Sequence, residues 1–174
     1  MSIIANNIFS QRMPSKQGNM LSDNRIKELR EYVASLERPE EALVDLMREA
    51  QEAYGYLSDE AAEKVAEIAQ VPVIKVDELA TFYSLIFRRP VGRKVIFVCD
   101  SISCWVMGME NLFERLKARL GIDIGETTAD GAFTLLPICC LGACHVAPAM
   151  LVGEKLYGNL TPEMIDEILE KERV

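Results

Sequence analysis

All five cysteines of the 174-residue chain fall into two clusters, separated by an interval long enough for a helix. The first cluster has the spacing Cys-x4-Cys. The second has two adjacent cysteines, and three residues separate the later of these from the last cysteine. The members are Cys99, Cys104, Cys139, Cys140 and Cys144. A 2Fe-2S cluster spreads four thiolate ligands over two irons, so two well-separated pairs on generous loops suit it. The spacing therefore indicates an iron-sulfur site.

Other uses of four cysteines fit this spacing less well. Structural zinc favours Cys-x2-Cys knuckles, and a thioredoxin-type redox pair needs Cys-x-x-Cys at a helix start; neither occurs here. Disulfides need an oxidising compartment, whereas the cysteine count is odd and no basic-then-apolar secretory segment opens the sequence. A Rieske site needs two histidines, and His145 is the only one. Zinc stays open as the alternative metal.

The residues around both clusters resemble a known family. The segments FVCDSISCW (97–105) and TLLPICCLGAC (134–144) are similar to those of thioredoxin-like 2Fe-2S ferredoxins. More narrowly, they resemble the E-type subunits of NADH-quinone oxidoreductase, respiratory complex I. The similarity extends upstream into ATFYSLIFRRPVGR (80–93) and includes GETTADGAFTLLP (125–137) between the clusters.

The resemblance implies a ligand set. Through the family's Cys-x4-Cys and Cys-x3-Cys arrangement, the ligands are expected to be Cys99, Cys104, Cys140 and Cys144. From the residues alone, either Cys139 or Cys140 could pair with Cys144. Adjacent side chains on an extended segment point to opposite sides, so both cannot easily face one cluster. We expect Cys139 to pack beneath the loop as a small apolar side chain.

The resemblance also implies a function. It predicts an electron-transfer subunit of an NADH-quinone oxidoreductase, whose cluster exchanges single electrons with FMN on the NADH-binding flavoprotein subunit. No Gly-rich phosphate loop opens a helix after a strand here, so we expect NAD and flavin on that partner. Oxidoreductase activity then belongs to the complex, and the isolated chain is a carrier. The same module suits an NAD-linked hydrogenase or a formate dehydrogenase, and a zinc-holding scaffold subunit is the non-redox alternative.

Charge and hydropathy limit the partners. The formal net charge of -8 argues against nucleic acid, whose binding depends on Lys and Arg neutralising phosphates. No apolar run of about 18 residues occurs, so we expect no membrane insertion. The resemblance implies attachment through other peripheral-arm subunits on the cytoplasmic side of the inner membrane, with the mitochondrial matrix as the alternative.

The sequence pattern of the elements that position the cysteines predicts an α+β chain with an N-terminal helical bundle. Residues 1–21 have no apolar period, and only Arg12 and Lys16 supply charge, so we expect a flexible tail rather than a transit peptide. Residues 22–87 show helical periodicity, which predicts four helices, the second from about residue 40 to 54 and the fourth from about 75 to 83. Ser22 or Asp23 is placed to cap the first, and Ser58 is placed to cap the third.

The pattern of residues 88–174 predicts a thioredoxin-like domain, with its strands and helices in the order βαβ then ββα along the chain. The expected strands cover 94–98, 133–136, 149–152 and 155–157, with one helix from about residue 105 to 120 and a last one capped by Thr161. Cys104 would then precede a helix whose free N-H groups face its sulfur. Trp105 would cover the cluster or join the core. The three arginines Arg88, Arg89 and Arg93 form either a docking patch or a solvated linker.

Overall fold

The computed structural model describes residues 21–173, so nearly all of the expected flexible tail lies outside the described residues. Contacts divide the chain between Arg88 and Arg89 into two compact units, and we propose that these units are its domains. The boundary lies one residue beyond the expected one. Within residues 21–173, no helix is both long and apolar enough to cross a bilayer.

In the described part of the chain, the first unit consists of four α-helices around one apolar core. They are α1 (Asp23–Ala34), α2 (Leu43–Tyr54), α3 (Asp59–Ala69) and α4 (Val73–Phe82), with a 3-10 turn over Pro39–Ala42. The predicted caps are present. The Ser22 hydroxyl accepts a hydrogen bond from the Arg25 N-H group, and the Ser58 hydroxyl accepts one from Ala61.

The second unit is built on a four-stranded mixed sheet. Its strands are β1 (Lys94–Cys99), β2 (Phe133–Ile138), β3 (Met150–Val152) and β4 (Lys155–Tyr157), in the spatial order β2-β1-β3-β4. Strand β2 runs parallel to β1, and β3 is antiparallel to both β1 and β4. The four predicted strands and the hairpin between β3 and β4 are confirmed.

The helices of the second unit differ from the prediction at one place. Instead of one helix from residue 105 to 120, a short helix α5 (Ile102–Val106) is followed by α6 (Met109–Leu120). Gly108 has φ +89° and separates them, because a left-handed residue ends the helical hydrogen-bond ladder. Cys104 therefore lies inside α5, and the expectation that it precedes a helix is wrong. The last helix, α7 (Pro162–Glu172), has the predicted Thr161 cap.

Gly92 lies against the start of β2. Its N-H group donates a 2.6 Å hydrogen bond to the buried hydroxyl of Thr134. A Cβ atom at Gly92 would lie 2.8 Å from the carbonyl carbon and 3.0 Å from the nitrogen of Phe133. Real Cβ atoms do not approach backbone this closely, so the segment before β1 can pass β2 only as glycine.

We expect Gly92→Ala to destabilise the second unit by about 1–3 kcal/mol, because the methyl group forces two backbone segments apart. The free energy of hydrogen exchange for the Lys94–Cys99 amides measures this effect locally. Arg89→Ala, at an exposed position nearby, is the control and should leave it unchanged. Equal exchange in Gly92→Ala and the native chain would contradict the close approach.

A carboxylate near the C-terminus joins α7 to the sheet. The Lys94 ammonium donates to a Glu172 carboxylate oxygen at 2.8 Å, and the Tyr157 hydroxyl donates to the other oxygen at 2.5 Å. The Glu172 side chain is only 13% exposed. These hydrogen bonds, with that of Lys94 the stronger cause, lower the pKa of Glu172 from 4.5 to about 2.

A carboxylate with a lowered folded-state pKa stabilises the fold above its unfolded pKa and loses that contribution as the pH falls. We expect the stability of the second unit to decrease between about pH 4.5 and pH 2 partly through Glu172. Glu172→Gln should be less stable at neutral pH, by about 1 kcal/mol, and should show a shallower decline in acid. Urea midpoints measured across that range test this, and parallel profiles for both chains would refute it.

Candidate iron-sulfur site

The parallel pairing of β1 and β2 brings the two cysteine clusters to one edge of the sheet. Cys99 is the last residue of β1 and pairs with Ile138, the last residue of β2. The Asp100 N-H group extends the ladder by donating to the Ile138 carbonyl at 2.8 Å. Parallel strands end at the same edge, so the loop that follows Ile138 begins beside Cys99. The fold therefore determines the meeting of the clusters.

The first pair of thiols is buried. Cys99 and Cys104 are 2% and 1% exposed, and both belong to the apolar core of the second unit. Burial, reinforced by the neighbouring Cys99 thiol, raises the pKa of Cys104, and the backbone N-H group of Ala149 opposes that rise. Cys144 is a smaller cause that also raises the pKa of Cys104.

The second pair of thiols lies on an exposed loop. The Sγ atoms of Cys140 and Cys144 are 4.0 Å apart, and the Gly142 N-H group donates to Cys140 Sγ at 3.3 Å. Gly142 has φ +73°, a conformation that glycine adopts without strain. Its N-H group is the largest cause that lowers the pKa of Cys140, followed by the Cys144 thiol. Ser101, the residue before α5, also lowers the pKa of Cys140.

Cys139 does not pack beneath the loop as expected. The structure places it on the exposed surface. Ala143 is buried and Leu141 packs against the core, so these two apolar side chains occupy the space under the loop. The expected buried position for Cys139 is therefore wrong.

Trp105 does not belong to the core. It is 58% exposed, and its neighbours Ile102 and Val106 are exposed to a similar degree. Helix α5 has little more than one turn, and its inward face is taken by Cys104. The interpretation of Trp105 as a core residue is therefore wrong. His145 is likewise exposed.

The three arginines before β1 have different surroundings. Arg88 donates to the Leu57 carbonyl at 2.8 Å and pairs with Asp59 at 2.8 Å and Asp77 at 3.0 Å. Arg93 donates to a backbone carbonyl at 3.3 Å, whereas Arg89 is exposed. Through this hydrogen bond and these ion pairs, Arg88 attaches the end of the first unit to the helices of that unit. No local pattern signalled this role, because the partners of Arg88 are distant in the chain.

The four thiols suit a two-iron cluster by their chemistry and grouping. Among residues 21–173, no three His, Cys, Asp or Glu side chains form a group that could hold a metal ion. The thiols of the two clusters lie on segments that meet at one sheet edge, where Cys99 and Cys104 are buried and Cys139, Cys140 and Cys144 are exposed. Two thiolates per iron are what a four-cysteine 2Fe-2S site requires. The donor N-H groups of Gly142 and Ala149 are of the kind that stabilise ligating sulfur.

Comparisons with known proteins agree with this geometry. The family model for the thioredoxin-like [2Fe-2S] ferredoxin matches residues 29–173. The E-type subunit of the NADH-quinone oxidoreductase of Pseudomonas aeruginosa is 38% identical over 151 residues, which cover 87% of this chain and 91% of that protein. The E-type subunit of the same complex in Escherichia coli K12 is 38% identical over 164 residues, covering 94% and 99% respectively.

A solved structure shares the fold. The air-oxidised NAD+-reducing [NiFe]-hydrogenase superposes with a TM-score of 0.66 at 25% identity. The overlap covers 76% of this chain and only 23% of the hydrogenase chain. The family model matches residues 29–173 and the relatives match most of the sequence, so the chain belongs to the thioredoxin-like [2Fe-2S] ferredoxin family.

Proposed function

We propose that the chain is the 2Fe-2S electron-transfer subunit of an NADH-quinone oxidoreductase, with Cys99, Cys104, Cys140 and Cys144 as ligands. The observation that supports this most is the meeting of a buried thiol pair and an exposed thiol pair at one sheet edge. The type of complex is supported by relatives of that name that match nearly the whole chain.

The proposed ligands of the cluster come from two different parts of the second unit. Cys99 and Cys104 provide ligands from rigid core elements, and Cys140 and Cys144 provide them from a loop that solvent reaches. When bound, the cluster supplies a centre that accepts and releases one electron at a time. The N-H groups that face Cys140 and Cys104 offset negative charge on sulfur, which raises the reduction potential.

NAD and FMN belong to a partner in this proposal. The sequence lacks a Gly-rich phosphate loop, so the substrate oxidation is assigned to an NADH-binding flavoprotein subunit. Electrons then pass between flavin and cluster within the peripheral arm, on the cytoplasmic side of the membrane. The exposed loop with Cys140 and Cys144 gives a partner access to the cluster.

A second candidate host has one observation in its favour. The hydrogenase that shares the fold is named as NAD+-reducing, so a domain of similar fold occurs in such an enzyme. The curated relatives with 38% identity favour the quinone-linked complex instead. Purification of the chain with its native partners separates the two hosts, because only the hydrogenase brings nickel.

We expect the anaerobically reconstituted chain to contain about two irons and two acid-labile sulfides, as a four-cysteine 2Fe-2S site requires. Iron and sulfide assays measure this, and dithionite should produce a one-electron paramagnetic signal. Cys140→Ala should lose the cluster, because a site that lacks one ligand binds weakly. One zinc and no sulfide in the native chain would refute the proposal.

Cys139→Ala is the matched control for Cys140→Ala. Its side chain is exposed, so iron content should persist and stability should change by less than about 0.5 kcal/mol. Alanine is preferred to serine because a serine hydroxyl can itself bind iron. If iron survives Cys140→Ala and is lost in Cys139→Ala, the ligands are Cys99, Cys104, Cys139 and Cys144.

We expect NADH to leave the cluster of the isolated chain oxidised and to reduce it once the flavoprotein subunit is added. The reason is that the chain has no nucleotide-binding loop of its own. The paramagnetic signal of the reduced cluster is the measurement, with dithionite as the positive control. Reduction by NADH without the flavoprotein would assign a nucleotide site to this chain.

A further inference from the structure

The two thiol pairs differ in their access to solvent. All five cysteines lie in the described part of the chain, and Cys99 and Cys104 are almost completely buried there. Cys140 and Cys144 are exposed, and their Sγ atoms are 4.0 Å apart. A dissolved oxidant can therefore reach the second pair and is excluded from the first.

The exposed pair can close into a disulfide with little rearrangement. The bond needs an S-S distance of about 2.0 Å, so the two sulfurs must approach each other by about half their separation. Rotation of exposed side chains supplies such a movement, and the three intervening residues include Gly142, which already turns the loop. The hydrogen bond from Gly142 to Cys140 Sγ holds this sulfur near its partner.

We propose that Cys140 and Cys144 form a reversible thiol-disulfide exchange site in the chain before its cluster is inserted. A small disulfide such as glutathione disulfide closes the pair, and a dithiol reductant reopens it. The consequence for cluster loading rests on the proposed function, in which both residues are ligands. Closure then removes two of four thiolates and leaves the buried pair reduced.

The exchange balances without another reactant. One thiolate of the pair attacks a sulfur of glutathione disulfide, which breaks the S-S bond and releases one glutathione thiolate. The second thiolate of the pair attacks the resulting mixed disulfide and releases the other glutathione. Two electrons and two protons pass from the pair to the oxidant. The products are the Cys140–Cys144 disulfide and two molecules of glutathione.

The test uses the full-length chain, stripped of cluster by a chelator under anaerobic reducing conditions and then incubated with glutathione disulfide. We expect the protein to lose the mass of two hydrogen atoms and to give a peptide linked through Cys140 and Cys144. Cys99 and Cys104 should react with iodoacetamide after denaturation. Reconstitution should fall about tenfold in the closed form and recover after dithiothreitol, since a site short of ligands binds weakly.

Two variants make the result specific. Cys139→Ser removes the other exposed thiol of the same loop and should close like the native chain. Cys144→Ser should stop at a stable glutathione adduct on Cys140, because the resolving thiol is gone. A disulfide that includes Cys139, a stable adduct on Cys140 or Cys144 of the native chain, or oxidation of Cys99 or Cys104 would overturn the proposal.

Failure of this proposal and failure of the proposed function give different results. If the reduced chain takes up iron and sulfide but no Cys140–Cys144 bond forms, the exchange site is refuted and the electron-transfer function stands. If the bond forms but the reduced chain takes up only zinc, the exchange site stands and the cluster assignment fails.

Discussion

The parallel hydrogen-bond ladder between β1 and β2 is the constraint on which the site depends. It aligns the last residues of the two strands, Cys99 and Ile138, although they are far apart in sequence. A parallel pair needs a long crossover, and here α5 and α6 lie within it. The close passage of Gly92 along β2 keeps the start of β1 in register with its neighbour. The ladder therefore determines where the segments that carry the cysteines begin and meet.

The same edge gives the thiols opposite environments. Burial makes the charged form of Cys104 costly, whereas a backbone N-H group favours the charged form of Cys140. Metal binding releases the thiol protons, so the free energy of deprotonation is part of the cost of assembling a site. That cost is greater at Cys104, whose pKa is raised, than at Cys140, whose pKa is lowered. The core position of Cys99 and Cys104 in turn fixes those two ligands rigidly, and the exposed loop supplies the adaptable half.

Local signals predicted much of the fold. Ser22, Ser58 and Thr161 cap helices because their hydroxyls reach an N-H group within the first turn, which is a property of a few consecutive residues. The four strands also followed from the pattern of apolar residues, and the β3–β4 hairpin from the turn residues between its strands. The break at Gly108 was missed because an apolar stripe continues across it, and only the left-handed backbone reveals it.

Local sequence patterns predicted less of the candidate site than of the fold. The choice of Cys140 over Cys139 came from family spacing, and the exposure of Cys139 depends on Leu141 and Ala143 filling the space below the loop. The partners of Arg88 and the N-H group of Ala149 depend on long-range packing, which no local pattern encodes.

The exposed position of Trp105 has an optical consequence. It is the only tryptophan of the chain and directly follows Cys104. An indole in contact with water emits at longer wavelength than one in an apolar core, and its emission overlaps the absorption of iron-sulfur chromophores. A neighbouring chromophore therefore quenches the excited indole. With a cluster held at the proposed ligands, Trp105 would report on it, with brighter emission from the empty site and dimmer emission from the filled one.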